Sequence, residues 1–400
     1  MKIIRIDVKK KLISHDLITK NSKYFLLGAR GLTSQIVFDE VNPTCDSLGS
    51  KNKLIIANGI LAGSPFANSA RTSIGAKSPL TNGIKEANVG GRPAMMLARH
   101  GIRALVFENT SDNLHILLID DKKTEFIEAN EYKGLGNYEL HSKLYKRYGD
   151  TVGIYSIGPA GEHMMKSATV AANDLEGYPS RHAARGGLGA VMGSKGIKAI
   201  VIIPTKESKA PMHDLKKFRE TSTPFAKNLA KAKDTFSTFG TSMGMKTMSN
   251  FGGIPTKNFS MGSFNDIDKI SGEALHELVV KRGGKKRLAC SPTCVIKCSN
   301  LIVDEQGNHI TSSLEYETMC LNGTNLMIND LDCLAYIDHF CDDTGIDTIE
   351  YGGTCGVAMD CGKIDWGDAQ KVIQILDTEI RNNTEAGKLY GNGVKHIGDQ

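Results

Sequence analysis

The sequence predicts an α+β chain, β-rich in its first half and mostly helical in its second. Three observations carry this expectation. Short apolar runs of strand length recur as far as Pro204, a polar stretch then interrupts them, and helical periodicity takes over beyond it. At 400 residues the chain has room for two or three domains of roughly 100 to 200 residues each.

In order, the strands are "IIRIDV" near the N-terminus, "KLIIANG" from Lys53, "RALVFEN" from Arg103, "HILLID" from His115, "GIYSIG" from Gly153 and "KAIVIIP" from Lys198. Each is rich in β-branched or aromatic residues and bounded by turn formers. A helix is expected from Pro93 to Gly101, with proline early, where its missing N–H costs nothing, and glycine at the stop. The stretch "TKESKAPMH", Thr205 to His213, marks the boundary, giving an N-terminal domain at 1–207 and a helical domain at 208–400. Within the latter, "DLDCLAYIDHFCDDTGID" sets Leu334, Ile337 and Cys341 at helical spacing, with Asp330 as N-cap and Gly345 just past the end. Asp338, Asp342 and Asp343 crowd the C-terminal end of that helix, where the macrodipole disfavours carboxylates by a few tenths to about 1 kcal/mol each. Either they form a solvated acidic end, or they accept hydrogen bonds from a ligand's N–H groups.

Composition excludes several classes. Lys and Arg number 49 against 44 Asp and Glu, a net charge of +5 spread along the chain. With no zinc-finger, RNP or helix-turn-helix signature, nucleic acid is not an expected partner. No run approaches 18 apolar residues, so no membrane span is expected. "MKIIRIDVKKK" reads as a strand and lysines, not as a secretory leader. Nine cysteines, an odd number, argue against a secreted disulfide framework and for a reducing cytoplasm.

Three of those cysteines, Cys290, Cys294 and Cys298, fall in "CSPTCVIKCSN". On a continuous helix they would be inert core, but Pro292 makes that helix improbable. A looped C-x3-C-x3-C wraps thiolates round a metal or an iron–sulfur cluster, whereas structural zinc usually shows shorter paired spacings. The glycine-rich "GGLGAVMGSKG", Gly186 to Gly196, lacks the residue order of a P-loop or a dinucleotide fingerprint. Arg181 and Arg185 with exposed amides would still suit an anion, as would Arg71, Lys77, Asn88 and Gly90 in "SARTSIGAKSPLTNGIKEANVGG", although ordinary tight turns explain each stretch taken singly.

Taken in order, "KSPLTNGIKEANVGG", "SIGPAGE", "RHAARGGLGAVMGSKGIKAI", the cysteine segment, "LEYET" and "DDTGID" resemble the tungsten-containing aldehyde ferredoxin oxidoreductase family over essentially the whole chain. The resemblance implies an N-terminal base of two β-sheets under a pterin cofactor, followed by helical domains. It implies tungsten, or molybdenum, held by two pterins beside a 4Fe-4S cluster, and oxidation of a small-molecule aldehyde with electrons passed to ferredoxin. Arg71, Asn88 and Gly90 match the first pterin segment, and Arg181, His182, Ala184 and Arg185 the second. Asp342, Ile346 and Asp347 match a segment that binds a pterin's amino edge. Cys290, Cys294 and Cys298 match three cluster ligands, with one residue more than the family spacing between the first two. Glu317 of "LEYET" matches a glutamate near the metal, a general base of the kind whose pKa burial raises. Ala184 stands where the family has glycine, which would be strained at positive φ.

The chain stops at "GNGVKHIGDQ", where the family continues. The expectation is therefore a chain without its C-terminal domain, with the fourth cluster cysteine lying elsewhere. Such a chain would be a non-catalytic fragment or paralogue, or a half-enzyme needing a complementing C-terminal chain; self-association into a homo-oligomer is also expected. The basic run "VKRGGKKRLAC" ahead of Cys290 is expected to be a loop that attracts acidic ferredoxin.

Overall fold

The computed structural model describes residues 1–208, 210 and 212–400, so Lys209 and Pro211 of the expected boundary stretch lie outside the described residues. Two compact units result: Met1–Lys227 together with Ser291–Cys294, and Asn228–Cys290 together with Val295–Gln400.

The first unit contains two six-stranded sheets. Strands β1 (Lys2–Asp7), β2 (Leu12–Leu17), β3 (Leu54–Asn58), β4 (Thr72–Lys77), β5 (Ile84–Val89) and β6 (Ile102–Glu108) assemble in the order β2-β1-β6-β3-β4-β5. Strands β7 (His115–Ile119), β8 (Thr124–Glu128), β9 (Gly153–Ser156), β10 (Val170–Ala172), β11 (Arg181–Ala183) and β12 (Ile197–Ile202) assemble as β11-β10-β9-β12-β7-β8. The pairs β1/β6 and β7/β12 run parallel. All six strands read from the sequence are present, and the helix α2 (Pro93–Arg99) ends before Gly101 at φ 74°.

Each sheet is covered on both faces. Ile4, Ile56 and Leu105 of the first sheet meet Leu117, Tyr155 and Ile200 of the second in one buried cluster. The other face of the first sheet packs under Leu32 and Ile36 of α1 (Ala29–Glu40). That of the second packs under Leu140 and Leu144 of α3 (Asn137–Tyr148). Burying each such side chain stabilises the fold by roughly 1.5–3 kcal/mol. Double coverage also explains why β12 reads as a continuous apolar run. Its one charge, Lys198, is fully buried; its Nζ donates to the carbonyls of Leu135 at 2.9 Å and Ile157 at 2.8 Å and pairs with Glu162. The remaining strands carried weaker signals. β4, "TSIGAK", contains Gly75 because α1 lies close on it: a Cβ there would sit 2.6 Å from that of Thr33.

The second unit has a three-stranded sheet, β13 (Lys285–Leu288), β14 (Ser299–Val303) and β15 (His309–Thr311), and many helices. The expected basic loop thus includes a strand, since Lys285 and Leu288 pair with Leu301 and Ser299. The periodic segment around Leu334 forms the helix Leu331–Thr344, capped by Asp330, whose carboxylate accepts from Cys333 N–H at 2.8 Å, and closed by Gly345 at φ 77°. Its acidic end is not solvated. Asp338, Asp342 and Asp343 are 5%, 7% and 9% exposed; Thr311 donates to Asp338 at 2.6 Å and Arg381 to Asp343 at 2.7 Å. Among the described residues no helix is long and apolar enough to cross a membrane.

Candidate cofactor site

In the first unit, Arg71 immediately precedes β4 and Asn88 lies on β5, two strands paired so that Ser73 faces Asn88. The Arg71 Nε donates to the Asn88 carboxamide, which is exposed. Gly90 follows at the end of β5 and is buried; the left-handed turn falls one residue later, at Gly91 with φ 86°, where a Cβ would lie 2.6 Å from the Asn173 carbonyl. The second segment is β11, which pairs with β10 and also packs against β5. The structure therefore brings Arg181 and Asn88 onto adjoining strands. Arg181 is 8% exposed, and its Nε finds no partner among the described residues. An orphaned buried guanidinium N–H is a donor that an anionic ligand could use.

Other members of the set differ from expectation. His182 has Nδ1 at 2.6 Å from Thr169 Oγ1 and Nε2 at 2.9 Å from the Pro179 carbonyl, so both ring nitrogens are already engaged by protein. Ala184 is not at positive φ, and the glycine-to-alanine departure brings no backbone strain. Arg185 is exposed. Lys77 is turned inward, its Nζ donating to the carbonyls of Pro43 at 2.6 Å and Cys45 at 2.5 Å, so it leaves the anion set. Nor are the amides of Gly186 to Gly196 an open cradle. Cβ atoms at Gly187, Gly189 and Gly193 would lie 2.2 Å from Lys166 O, 2.2 Å from Thr169 O and 1.9 Å from Gly161 O. These glycines allow the helix α4 (Leu188–Ser194) to pack closely.

The cysteine segment is neither helical nor fully buried, which excludes the inert-core reading; Cys290, Cys294 and Cys298 are half-buried and in no disulfide. Its middle, Ser291–Cys294, belongs to the first unit. Thr293 fastens it there. Its Oγ1 accepts from the N–H groups of Ser69 and Ala70 at 3.1 Å each, and its carbonyl accepts from Asn68 N–H at 2.8 Å. Cys294 is thereby tethered to the strand entry that carries Arg71, a connection no sequence spacing announced. Among the described residues no three His, Cys, Asp or Glu side chains are grouped as a single-ion site.

In the second unit Asp342, Ile346 and Asp347 are all buried, at 7%, 2% and 1% exposure. Asp347 also caps the helix Thr348–Asp360, accepting from Ile349 N–H at 3.0 Å. Glu317 lies exposed in the first turn of the helix Tyr316–Asn322, so the burial expected of it is not present. The neighbouring Glu315 is the carboxylate the fold holds in place: it accepts from Thr241 Oγ1 at 2.5 Å and from Ser313 Oγ. Ser313 has φ 90°, a conformation rarely taken by serine. Sequence reasoning passed over Glu315 because nothing in "LEYET" separates the two glutamates.

A family model for the N-terminal domain of aldehyde ferredoxin oxidoreductase matches residues 3–204, and one for domains 2 and 3 of the same enzyme matches residues 219–400. The chain belongs to the aldehyde ferredoxin oxidoreductase family. The second match corrects the expectation that the C-terminal part is absent. The tungsten-containing aldehyde ferredoxin oxidoreductase of Pyrococcus furiosus is 36% identical over 339 residues, 84% of this chain and 54% of that protein. That of Pyrococcus horikoshii is 34% identical over 364 residues, 90% and 58%. The chain thus spans little more than half the length of these relatives. The active site complex BamBC of benzoyl coenzyme A reductase, with 1,5-dienoyl-CoA, superposes with a TM-score of 0.83 at 22% identity, covering all of this chain and 62% of that one, and so shares the aldehyde ferredoxin oxidoreductase fold.

Proposed function

We propose that the chain oxidises an aldehyde to a carboxylic acid in a reducing cytoplasm, using tungstopterin and a 4Fe-4S cluster and passing electrons to ferredoxin. The observation that most supports this is the convergence in the first unit of the Arg71–Asn88 pair, the buried Arg181 and the segment bearing Cys294. When bound, the metal centre and cluster would supply the redox chemistry.

The chain's own residues do the rest. Arg71, Arg181 and Arg185 would bring charged donors to the pterin's phosphate, and Gly90 adds no side chain to hinder it. Asp342 and Asp347 would accept from pterin N–H groups, and Ile346 would add an apolar side chain to that segment. The thiolates of Cys290, Cys294 and Cys298 would hold iron. Glu317 takes up a proton as water supplies the oxygen of the product.

The test is metal, pterin and iron analysis of the anaerobically purified 400-residue chain, alongside aldehyde-dependent reduction of a dye and of ferredoxin. Tungsten, pterin and iron together with aldehyde-dependent dye reduction are expected. A chain that neither retains nor takes up metal and pterin would overturn the cofactor assignment. A loaded chain inert to both aliphatic and aromatic aldehydes would overturn the reaction.

A further inference from the structure

In the first unit, a cavity of about 670 Å³ opens beside the start of α5 (Leu215–Ala232), within the size range of small-molecule sites. Its walls are apolar, formed by Ile18, Phe25, Leu26, Ile60, Leu61 and Phe218 among others. Four of these are large apolar side chains left substantially in water, Leu26 at 75% exposure, Ile60 at 49%, Leu61 at 45% and Phe25 at 40%. Scattered singly they would need no explanation; gathered round one cavity they do.

One charged group lines it from within the fold. Arg103, on β6, is 6% exposed. Its Nη1 donates to the Leu27 carbonyl at 2.9 Å, but Nε has no partner and no carboxylate pairs with it among the described residues. Burial pulls its pKa below the ordinary arginine value. A buried cation without a counter-charge is costly. The same sheet handles the neighbouring strand's Arg5 differently, surrounding it with Asp16, Glu40 and Glu108 at 2.6–3.0 Å. Arg103 lacks such an anion and lines the apolar cavity. Lys217 and His213 also line it. The one acid there, Asp214, caps α5, accepting from Lys217 N–H at 3.0 Å.

We propose that this cavity binds a small amphipathic monocarboxylate, the tail against the apolar walls and the carboxylate on the Arg103 guanidinium. The site is separate from the pterin residues, and its argument does not depend on the redox function. Octanoate, octanol and octylamine, titrated into the full 400-residue chain by calorimetry, test it. Octanoate should bind saturably, octanol at least about tenfold more weakly, and octylamine not at all. In Arg103→Met, which keeps length without charge, the preference for octanoate over octanol should vanish. In Leu61→Trp, a change at a half-exposed wall position that fills the cavity and spares the core, both should be lost. Equal binding of octanoate and octanol by the unaltered chain, no binding of either, or octanoate affinity surviving Arg103→Met would overturn the proposal. So would a concentration-dependent dimer that octanoate leaves intact, which would assign the apolar mouth to self-association.

Discussion

On α3, His141 places its Nε2 2.9 Å from the Ser156 hydroxyl in full burial. Desolvation, and after it the charges of His182 and Lys198, pull its pKa from 6.5 to about 3. The sign follows from linkage. Between those values the unfolded chain binds a proton that the folded one refuses, so stability is complete above pH 6.5 and falls as pH drops towards 3, by about 1.4 kcal/mol per unit. Denaturant unfolding at pH 7 and pH 5 should show this loss, and His141→Gln should reduce it even though the variant is less stable at pH 7. Parallel losses in both proteins would place the acid sensitivity in other groups. The sequence sets His141 beside Leu140 and Leu144 in "NYELHSKLY", but it does not show the Ser156 partner, which comes from β9.

Helix termini and turns carry two roles at once in this chain, and conservative substitutions separate them. Asp347→Asn keeps an oxygen to cap the helix that follows it while removing the carboxylate. The variant should melt within about a degree of the parent yet retain less pterin, whereas Asp347→Ala should also lose about 1 kcal/mol of stability. Equal pterin content in parent and Asp347→Asn would leave the aspartate a purely structural cap. Thr293→Val removes the hydroxyl that receives two N–H groups, so amide exchange at Ser69 and Ala70 should accelerate at least about tenfold and iron content should fall. Unchanged exchange would mean that the Asn68 contact alone holds the segment. These elements divide by how legible they were. Asp330, Gly345 and the Pro93–Gly101 helix announced themselves because caps and stops act through local backbone chemistry. The hairpin β4–β5 did not, because Gly75 and Lys77, which look like loop residues, answer to α1 and to the carbonyls of Pro43 and Cys45. The proposed cofactor residues were readable only through many motifs in fixed order; singly, "GGLGAVMGSKG" read as an ordinary tight turn, and its glycines serve packing.

At the scale of the whole molecule, the basic run ahead of Cys290 is partly spoken for. Arg282 pairs with Asp332 at 2.8 Å and Arg287 with Asp234 at 2.9 Å, while Lys281, Lys285 and Lys286 are exposed. These three are the charges left for the proposed acidic electron acceptor. In loaded protein, Lys285→Glu with Lys286→Glu should slow ferredoxin reduction and flatten its dependence on salt, leaving turnover with a small neutral dye nearly unchanged. Equal losses with both acceptors would tie the strand to cluster support instead. The fastening of Ser291–Cys294 onto residues 68–70 has a further consequence, in time. On a ribosome, the two-sheet unit emerges whole except for one short piece, and that piece arrives only after the chain has left to begin the second unit and come back. Until then the amides of Asn68, Ser69 and Ala70 wait in water. The strand entry bearing Arg71 is thus completed late, by the same residues that carry Cys294, so the nascent two-sheet unit lacks this fastening until Cys294 has been made.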